Sequence, residues 1–568
     1  MDHPVTRRDV VRGGGAAITL ATTAACVARA FAADRSRMVA SGVVFEDRSG
    51  SGEREPGDPG IPGVLVSNGR EVVKTDDEGR YVLPIEDGNI IFVIKPTGYA
   101  VPIERGTMLP RFYYIHQPEG TPPQLGLRHR GVAPSGPLPA AIDFALRQAS
   151  EPTRFDVLLL TDTHAGSDAE IDFIRDDVVN PLIGTQAAFG ITTGDIASDD
   201  LSIYGRYNRI IGQLGVPWHN IIGNHDLNLD APDGRYSRET FKRTFGPTYY
   251  AFEYGGVLFL MLDNVEYFGA RPCAAGVDCH YEGRFGERQL AFVANVLKQT
   301  PTDRLVVAAM HIPLTTYLEP TSPASNTADA AAFIALLGKR PSISFAGHTH
   351  TTEHHYLGDG DPSGTLHHHH VMTAVSGSWW SGPYDRRGVA VADSQDGTPN
   401  GFHVLSVDRN RATTRYRPAK EPNARQVRTV LEPPAAAPDD DLRMRRLTGA
   451  PIAQDDVGAT NLVVNVFDGG PRTRVEYRIG ARSPVRMEPQ RRRDPFVKEV
   501  FARNRATKKP WVKAEPCSHL WVAPLPADLE AGTHRIKVQV TDEYGRAHHD
   551  HLVLEVVARR AASAIAPG

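Results

Sequence analysis

Residues 157–166 read VLLLTDTHAG. Four apolar residues, Val157 to Leu160, stop at Thr161-Asp162-Thr163-His164. A short continuous apolar run bounded in this way fits a strand covered on both faces, as in a parallel sheet flanked by helices. In extended chain, residues two apart point to the same side, so Asp162 and His164 are expected to project together from the carboxyl end of that strand. Ligands of open α/β sheets bind at such ends. One carboxylate and one imidazole side by side make half of a transition-metal site. The same two residues also suit a turn cap and a satisfied polar histidine, so the rest of the chain has to decide.

The pattern recurs through residues 150–420. AAFGITTGD, HNIIGNHD, GVLFLMLDN, RLVVAAMHIP and SISFAGHTH read as strands. Amphipathic helical stretches lie between them. SDAEIDFIRDDVV opens with a capping box, Ser167 and Glu170, and sets Ile171, Ile174 and Val178 on one face. YGRYNRIIGQL aligns Tyr207, Ile210, Ile211 and Leu214, and ERQLAFVANVLK aligns Leu290, Val293 and Leu297. Strands alternating with helices predict a layered α/β domain, helices covering a sheet.

Successive strands end in metal-ligand types: Asp195, then Asn224-His225-Asp226, then His311, then His348 and His350. With Asp162 and His164 this makes seven N/O ligands and a spare His-Asp pair. Unrelated core histidines do not fall at one end of each successive strand. Two divalent ions about 3.5–4 Å apart form a clamp for in-line displacement at phosphorus. Such a pair benefits from a shared carboxylate, and Asp195 in the tight GD turn is the candidate; Gly194 lets backbone approach closely. Imidazole, carboxylate and amide ligands without thiolate suit Zn, Fe or Mn better than Ca.

The ordered motifs DTH, GD, GNHD, H and GHTH resemble those of the calcineurin-like metallophosphoesterases. The resemblance implies a layered β-sandwich core with helices outside. It implies one metal held by Asp162, His164, Asp195 and His350, and a second held by Asp195, Asn224, His311 and His348. It further implies a metal-bridging hydroxide attacking phosphorus in line. His225 would contact the phosphate and protonate the leaving oxygen, oriented by Asp226; a histidine pKa near neutrality suits that role. GDIASDD lacks the GDxxDRG form of Ser/Thr protein phosphatases, and the third motif ends in Asp rather than Glu. These departures argue against a protein phosphatase and give diesters or small organic phosphates a slight preference, with monoester against diester left open.

The 568-residue chain is too long for one ordinary domain. Apolar content of 41% and charged content of 23% describe a globular protein. A net charge of −4 gives no global basic field for nucleic acid. Residues 1–33 have the layout of an export signal, and Arg7-Arg8 resembles a twin-arginine motif. Export to the periplasm or beyond is therefore expected, with no membrane span. Short β-rich runs mark an N-terminal β-module over 38–125, and 131–140 reads as a linker. A second Pro/Ala/acid linker at 431–441 precedes an immunoglobulin-like β-module over 442–560. The fold class is thus α/β, a sandwich core between two all-β modules. This three-part layout resembles a secreted bacterial subgroup of the same family. The flanking modules leave room for envelope or glycan contact.

Three features remain open on sequence alone. Cys273 and Cys279, close together in an oxidising context, are expected to form a disulfide. The run His367–His370 alternates faces on a strand and serves either packing or the surroundings of the site. Trp379 and Trp380 serve either as a plug in the structure or as an aromatic wall for substrate. The rival class to a two-metal phosphoester hydrolase is a surface-binding protein with a vestigial metal site.

Overall fold

The computed structural model describes residues 38–269, 280–358, 366–422, 424–434 and 451–558. The signal-like segment 1–33 and the Cys273–Cys279 pair lie outside the described residues.

The opening run becomes the strand Arg154–Leu160. Its continuous apolar character follows from having two covered faces. Val157 and Leu159 pack with Ile191, Ile221, Phe259, Val307 and Leu405 between two sheets. Leu158 and Leu160 pack outward against Ile171, Ile174, Tyr204 and Tyr207. Leu159 is fully buried, and its truncation to alanine costs about 2–5 kcal/mol.

The two sheets form the core sandwich. The first runs Trp218–Ile221, Phe189–Thr193, Arg154–Leu160, Gly401–Asp408, Arg411–Pro418 in spatial order. The second runs Tyr250–Tyr254, Val257–Met261, Val306–Ala309, Ser342–Ala346, His367–Val371, Glu353–Leu357. In the first, three consecutive strands are parallel, 154–160 with 189–193 and 218–221; in the second, four are, 257–261, 306–309, 342–346 and 367–371. The carboxyl ends that carry the candidate ligands meet at one end of the sandwich. Half of the expected capping box forms: Glu170 N donates to Ser167 Oγ at 3.2 Å, while the Glu170 carboxylate accepts from Gly166 N at 2.9 Å. The helix Asp168–Ile174 then widens into a π turn over Arg175–Val179, with Ile171, Ile174 and Val178 still fully buried.

The N-terminal module is two four-stranded sheets. Its strand Val39–Glu46 takes Phe144–Gln148 as a parallel partner, so the chain returns to this module just before entering the core. The C-terminal module packs a four-stranded sheet on a five-stranded one around Leu462, Val464, Tyr477, Trp521 and Val538. Cys517 is buried with a free thiol. Among the described residues no helix is long and apolar enough to cross a membrane.

Candidate metal centre

The structure brings Asp162, His164, Asp195, Asn224, His311, His348 and His350 together, although not by the expected backbone route. Extended geometry was to align Asp162 with His164, but the strand ends at Leu160 and both residues are left-handed, with φ of 49° and 43°. Asp195, His348 and His350 share this conformation, at φ 48°, 73° and 54°. Each such residue costs on the order of 1–3 kcal/mol and persists only where its surroundings hold it. Five of them at one spot mark a site held for chemistry rather than for folding.

Three sets of donor atoms lie within 4.8 Å of one another: Asp162, His164 and His350; Asp195, His311 and His348; and His164, Asp195 and His225. Asp195 joins them, because one oxygen, Oδ2, stands 3.4 Å from His164 Nε2 and 3.2 Å from His311 Nε2. His350 Nε2 lies 3.5 Å and His164 Nε2 3.8 Å from Asp162 Oδ1. Asn224 Oδ1 is 3.0 Å and His348 Nδ1 is 3.2 Å from His311 Nε2. His348 and His225 are half-buried and line the mouth; the others are buried.

The chemistry of this donor set fits cations. His311 Nδ1 donates to Thr193 O at 2.9 Å, and His350 Nδ1 donates to Gly377 O at 2.5 Å. A carbonyl only accepts, so in each neutral ring Nε2 presents a lone pair inward. His164 Nε2 and His350 Nε2 are buried without a hydrogen-bond partner. His311 Nε2 faces two acceptor oxygens, from Asp195 and Asn224. That is a place for positive charge, either a cation or a proton on His311. Burial opposes the proton, yet the Asp195 carboxylate pushes the His311 pKa up to about 9. Burial likewise opposes charge on Asp195, but the His311, His225 and His164 rings hold its carboxyl well below the usual range. Burial keeps His164 and His350 neutral, the form that ligates.

Two glycines make room. A Cβ on Gly223 would meet Asp195 Oδ1 at 2.1 Å, and one on Gly347 would meet Asp162 Oδ2 at 2.1 Å. His348 N also donates to Asp162 Oδ2 at 2.9 Å.

The expected orientation of His225 by Asp226 is corrected. Residues 224–226 form a 3₁₀ turn rather than extended chain. The Asp226 carboxylate is buried and accepts from Ile196 N, Ala197 N, Gly223 N and Tyr204 Oη, so it organises the turn. The partner of His225 is Asp199, whose Oδ1 lies 2.7 Å from Nδ1. Burial lowers the His225 pKa, but Asp195 and Asp199 together push it up to about 9. Asp199 went unrecognised because ASDD offers two adjacent acids; its neighbour Asp200 caps the following turn instead. The φ of 68° at Asp199 has no signal in the sequence.

The tryptophan pair divides. Trp380 is buried, and its indole N–H donates to Thr163 O at 2.9 Å. It is therefore a plug, and its candidacy as a substrate contact is corrected. Trp379 is half-buried and stacks on His350, ring centroids 3.9 Å apart at 18°.

Family comparisons agree with this geometry. The description "Calcineurin-like phosphoesterase" matches residues 155–352, "N terminal of Calcineurin-like phosphoesterase" matches 49–125, and "C terminal of Calcineurin-like phosphoesterase" matches 369–548. No match was found among curated proteins. Among solved structures, a dimetal phosphatase from Danio rerio is 15% identical, covers 48% of this chain and 98% of its own, and has a TM-score of 0.33. A purple acid phosphatase from yellow lupin (Lupinus luteus) seeds is 13% identical, covers 63% of this chain and 68% of its own, also at 0.33. With its N-terminal, catalytic and C-terminal segments all matched, the chain belongs to the calcineurin-like phosphoesterases and is a metal-dependent phosphoester hydrolase.

Proposed function

We propose that the centre holds two cations, one on Asp162, His164, Asp195 and His350 and one on Asp195, Asn224, His311 and His348. The observation that carries this reading is the position of Asp195 Oδ2 between His164 and His311. When bound, the two cations supply Lewis acidity to the phosphoryl oxygens and a nucleophile from water; Zn, Fe and Mn all suit these ligands.

The chain's own residues do the rest. Asp195 fixes the spacing of the two halves. Asp199 holds the Nδ1 proton of His225, which leaves Nε2 to carry the proton that the leaving oxygen takes. Because Asp199 is exposed, this pair sits at the mouth, where a leaving group departs. Trp379 covers His350 and limits water on that side. The substrate is a phosphoester, with diesters or small organic phosphates preferred over phosphoproteins because GDIASDD lacks the protein-phosphatase motif. Export by the twin-arginine route is part of the proposal and rests on Arg7-Arg8.

The test is chelation followed by metal return, with nitrophenyl phosphate and bis-nitrophenyl phosphate as substrates. Activity lost on chelation and restored by Zn, Fe or Mn supports the proposal, and the ratio of the two rates sorts monoester from diester. Activity that survives complete metal removal contradicts it.

A further inference from the structure

The run His367–His370 serves something other than the catalytic centre. It forms the strand His367–Val371, paired in register with Glu353–Leu357 so that His354 faces His370 and Tyr356 faces His368. Alternation splits the run. His367 and His369 turn to one face and share Ser344 Oγ, each at 2.7 Å. His368 and His370 turn to the other.

On that second face a distinct cluster forms. His354 and His370 stack with ring centroids 4.0 Å apart at 19°. His403 arrives from the opposite sheet, its ring 4.8 Å from His370 at 87°. Asp468 arrives from the C-terminal module, just past the strand Asn461–Val466. A single oxygen, Asp468 Oδ1, lies 3.2 Å from His354 Nε2, 3.1 Å from His370 Nε2 and 3.2 Å from His403 Nε2. All four residues are buried.

Hydrogen bonding satisfies this arrangement only in part: the His354 and His403 Nε2 atoms each pair with Asp468 Oδ1. His370 Nε2 and Asp468 Oδ2 have no hydrogen-bond partner. A neutral imidazole costs several kcal/mol less to bury than a charged one, yet three nitrogens crowd one oxygen with two lone pairs. A tetrahedral cation resolves the crowding. Zn–N and Zn–O bonds of about 2.0–2.2 Å put neighbouring ligands of a tetrahedron about 3.3–3.5 Å apart, close to the three nitrogen–oxygen distances observed, and ligand atoms of His354, His370 and Asp468 already lie within 4.8 Å of one another. Two of the three histidines also have the outer partner that orients a ligating ring: His368 Nε2 is 2.9 Å from His354 Nδ1, and Thr414 Oγ1 is 3.5 Å from His370 Nδ1, whereas His403 Nδ1 is buried without one.

We propose that His354, His370, His403 and Asp468 form a third, structural metal site for a zinc-class divalent cation. His354, His370 and Asp468 are already grouped and His403 closes on them as the fourth ligand; four protein ligands with no open position are the form of a structural rather than a catalytic site. Its ligands come from both core sheets and from the C-terminal module, so the cation staples three sheets together. This site is independent of the catalytic assignment, because it shares no residue with it.

The test counts metal in the full chain, stripped with chelator and reloaded with zinc, with cobalt as a spectroscopic probe. Asp468→Asn and His403→Gln should each lose one equivalent and keep phosphoesterase activity. Asp195→Asn should lose the catalytic pair and keep one equivalent, whose cobalt form shows the strong visible absorption of a tetrahedral site. Zinc should raise the unfolding temperature of Asp195→Asn by several degrees and leave that of Asp195→Asn/Asp468→Asn unmoved. Should Asp468→Asn fail to fold, the Asp195→Asn background alone still decides. No metal retained there, or no change in metal count in a folded Asp468→Asn or His403→Gln variant, overturns the proposal and leaves a hydrogen-bonded cluster. An Asp195→Asn protein that keeps every equivalent counts against the catalytic reading instead.

Discussion

Gly223→Ala isolates the placement of the shared carboxylate. Gly223 has φ −108° and ψ −179°, a region open to any residue, so alanine adds a methyl without backbone strain. That methyl would sit 2.1 Å from Asp195 Oδ1 and 2.3 Å from Asp195 N. Oδ1 is already tied to His225 N at 2.9 Å, and the second contact is backbone, so side-chain rotation alone does not relieve the clash. Bringing these atoms to ordinary contact moves Asp195 or the 223–226 turn by about 1 Å, and a misplacement of that size costs about 10²-fold in rate. Metal content by mass spectrometry and kcat on nitrophenyl phosphate should both fall, while far-ultraviolet circular dichroism stays that of the parent. A folded Gly223→Ala protein with full metal content and kcat within threefold of the parent would refute the reasoning.

His225→Ala should keep both catalytic metals. Its rate loss should reach about 10²–10⁴-fold on alkyl esters, whose leaving oxygen needs a proton, and be smaller on nitrophenyl esters; Asp199→Asn should show the same contrast more weakly. Equal losses on both substrates would assign His225 to charge stabilisation instead. His219, stacked on Phe252 at 4.2 Å, has its pKa pushed down by burial to about 3, against about 6.5 unfolded. Its contribution is fully present above pH 6.5 and is lost as pH falls toward 3, by about 1.4 kcal/mol per pH unit. His219→Phe should therefore flatten the acid side of stability measured by urea unfolding at several pH values, and an unchanged slope would count against it. Arg7→Lys with Arg8→Lys should trap precursor in the cytoplasm; normal secretion would point to the general secretory route.

Much of the core was legible because apolar runs covered on both faces announce themselves. The strands Phe189–Thr193, Val257–Met261, Val306–Ala309 and Ser342–Ala346 all fall inside the segments read as strands, and Trp218–Ile221 starts one residue before its segment. The seven candidate ligands were legible for the same reason, since each follows a run that had to stop at the sheet's end. The local backbone was not. Left-handed turns at Asp162, His164 and Asp195 are held by the tertiary surroundings; Asp and His enter that region more readily than most residues, but their presence alone does not announce it. Asp199 was hidden by its neighbour Asp200, and Trp379 and Trp380 stood undivided, because local sequence does not say which residue of an adjacent like pair turns to the site. The cluster of His354, His370, His403 and Asp468 was beyond reach for a different reason. It depends on one strand register, on the facing of two sheets and on the docking of a further module, none of which local periodicity encodes.

The central claim is that Asp195 serves both halves of the catalytic centre, and metal stoichiometry of Asp195→Asn tests it most directly. The parent chain and the terminal-ligand variants His164→Ala and His348→Ala supply the comparison, each protein being purified, reloaded with the same metal and checked for folding. Asp195→Asn should lose both catalytic equivalents, and with them hydrolysis of phosphoesters, whereas each terminal-ligand variant should lose fewer. A folded Asp195→Asn protein that keeps two tightly bound catalytic metals and full activity would contradict the account.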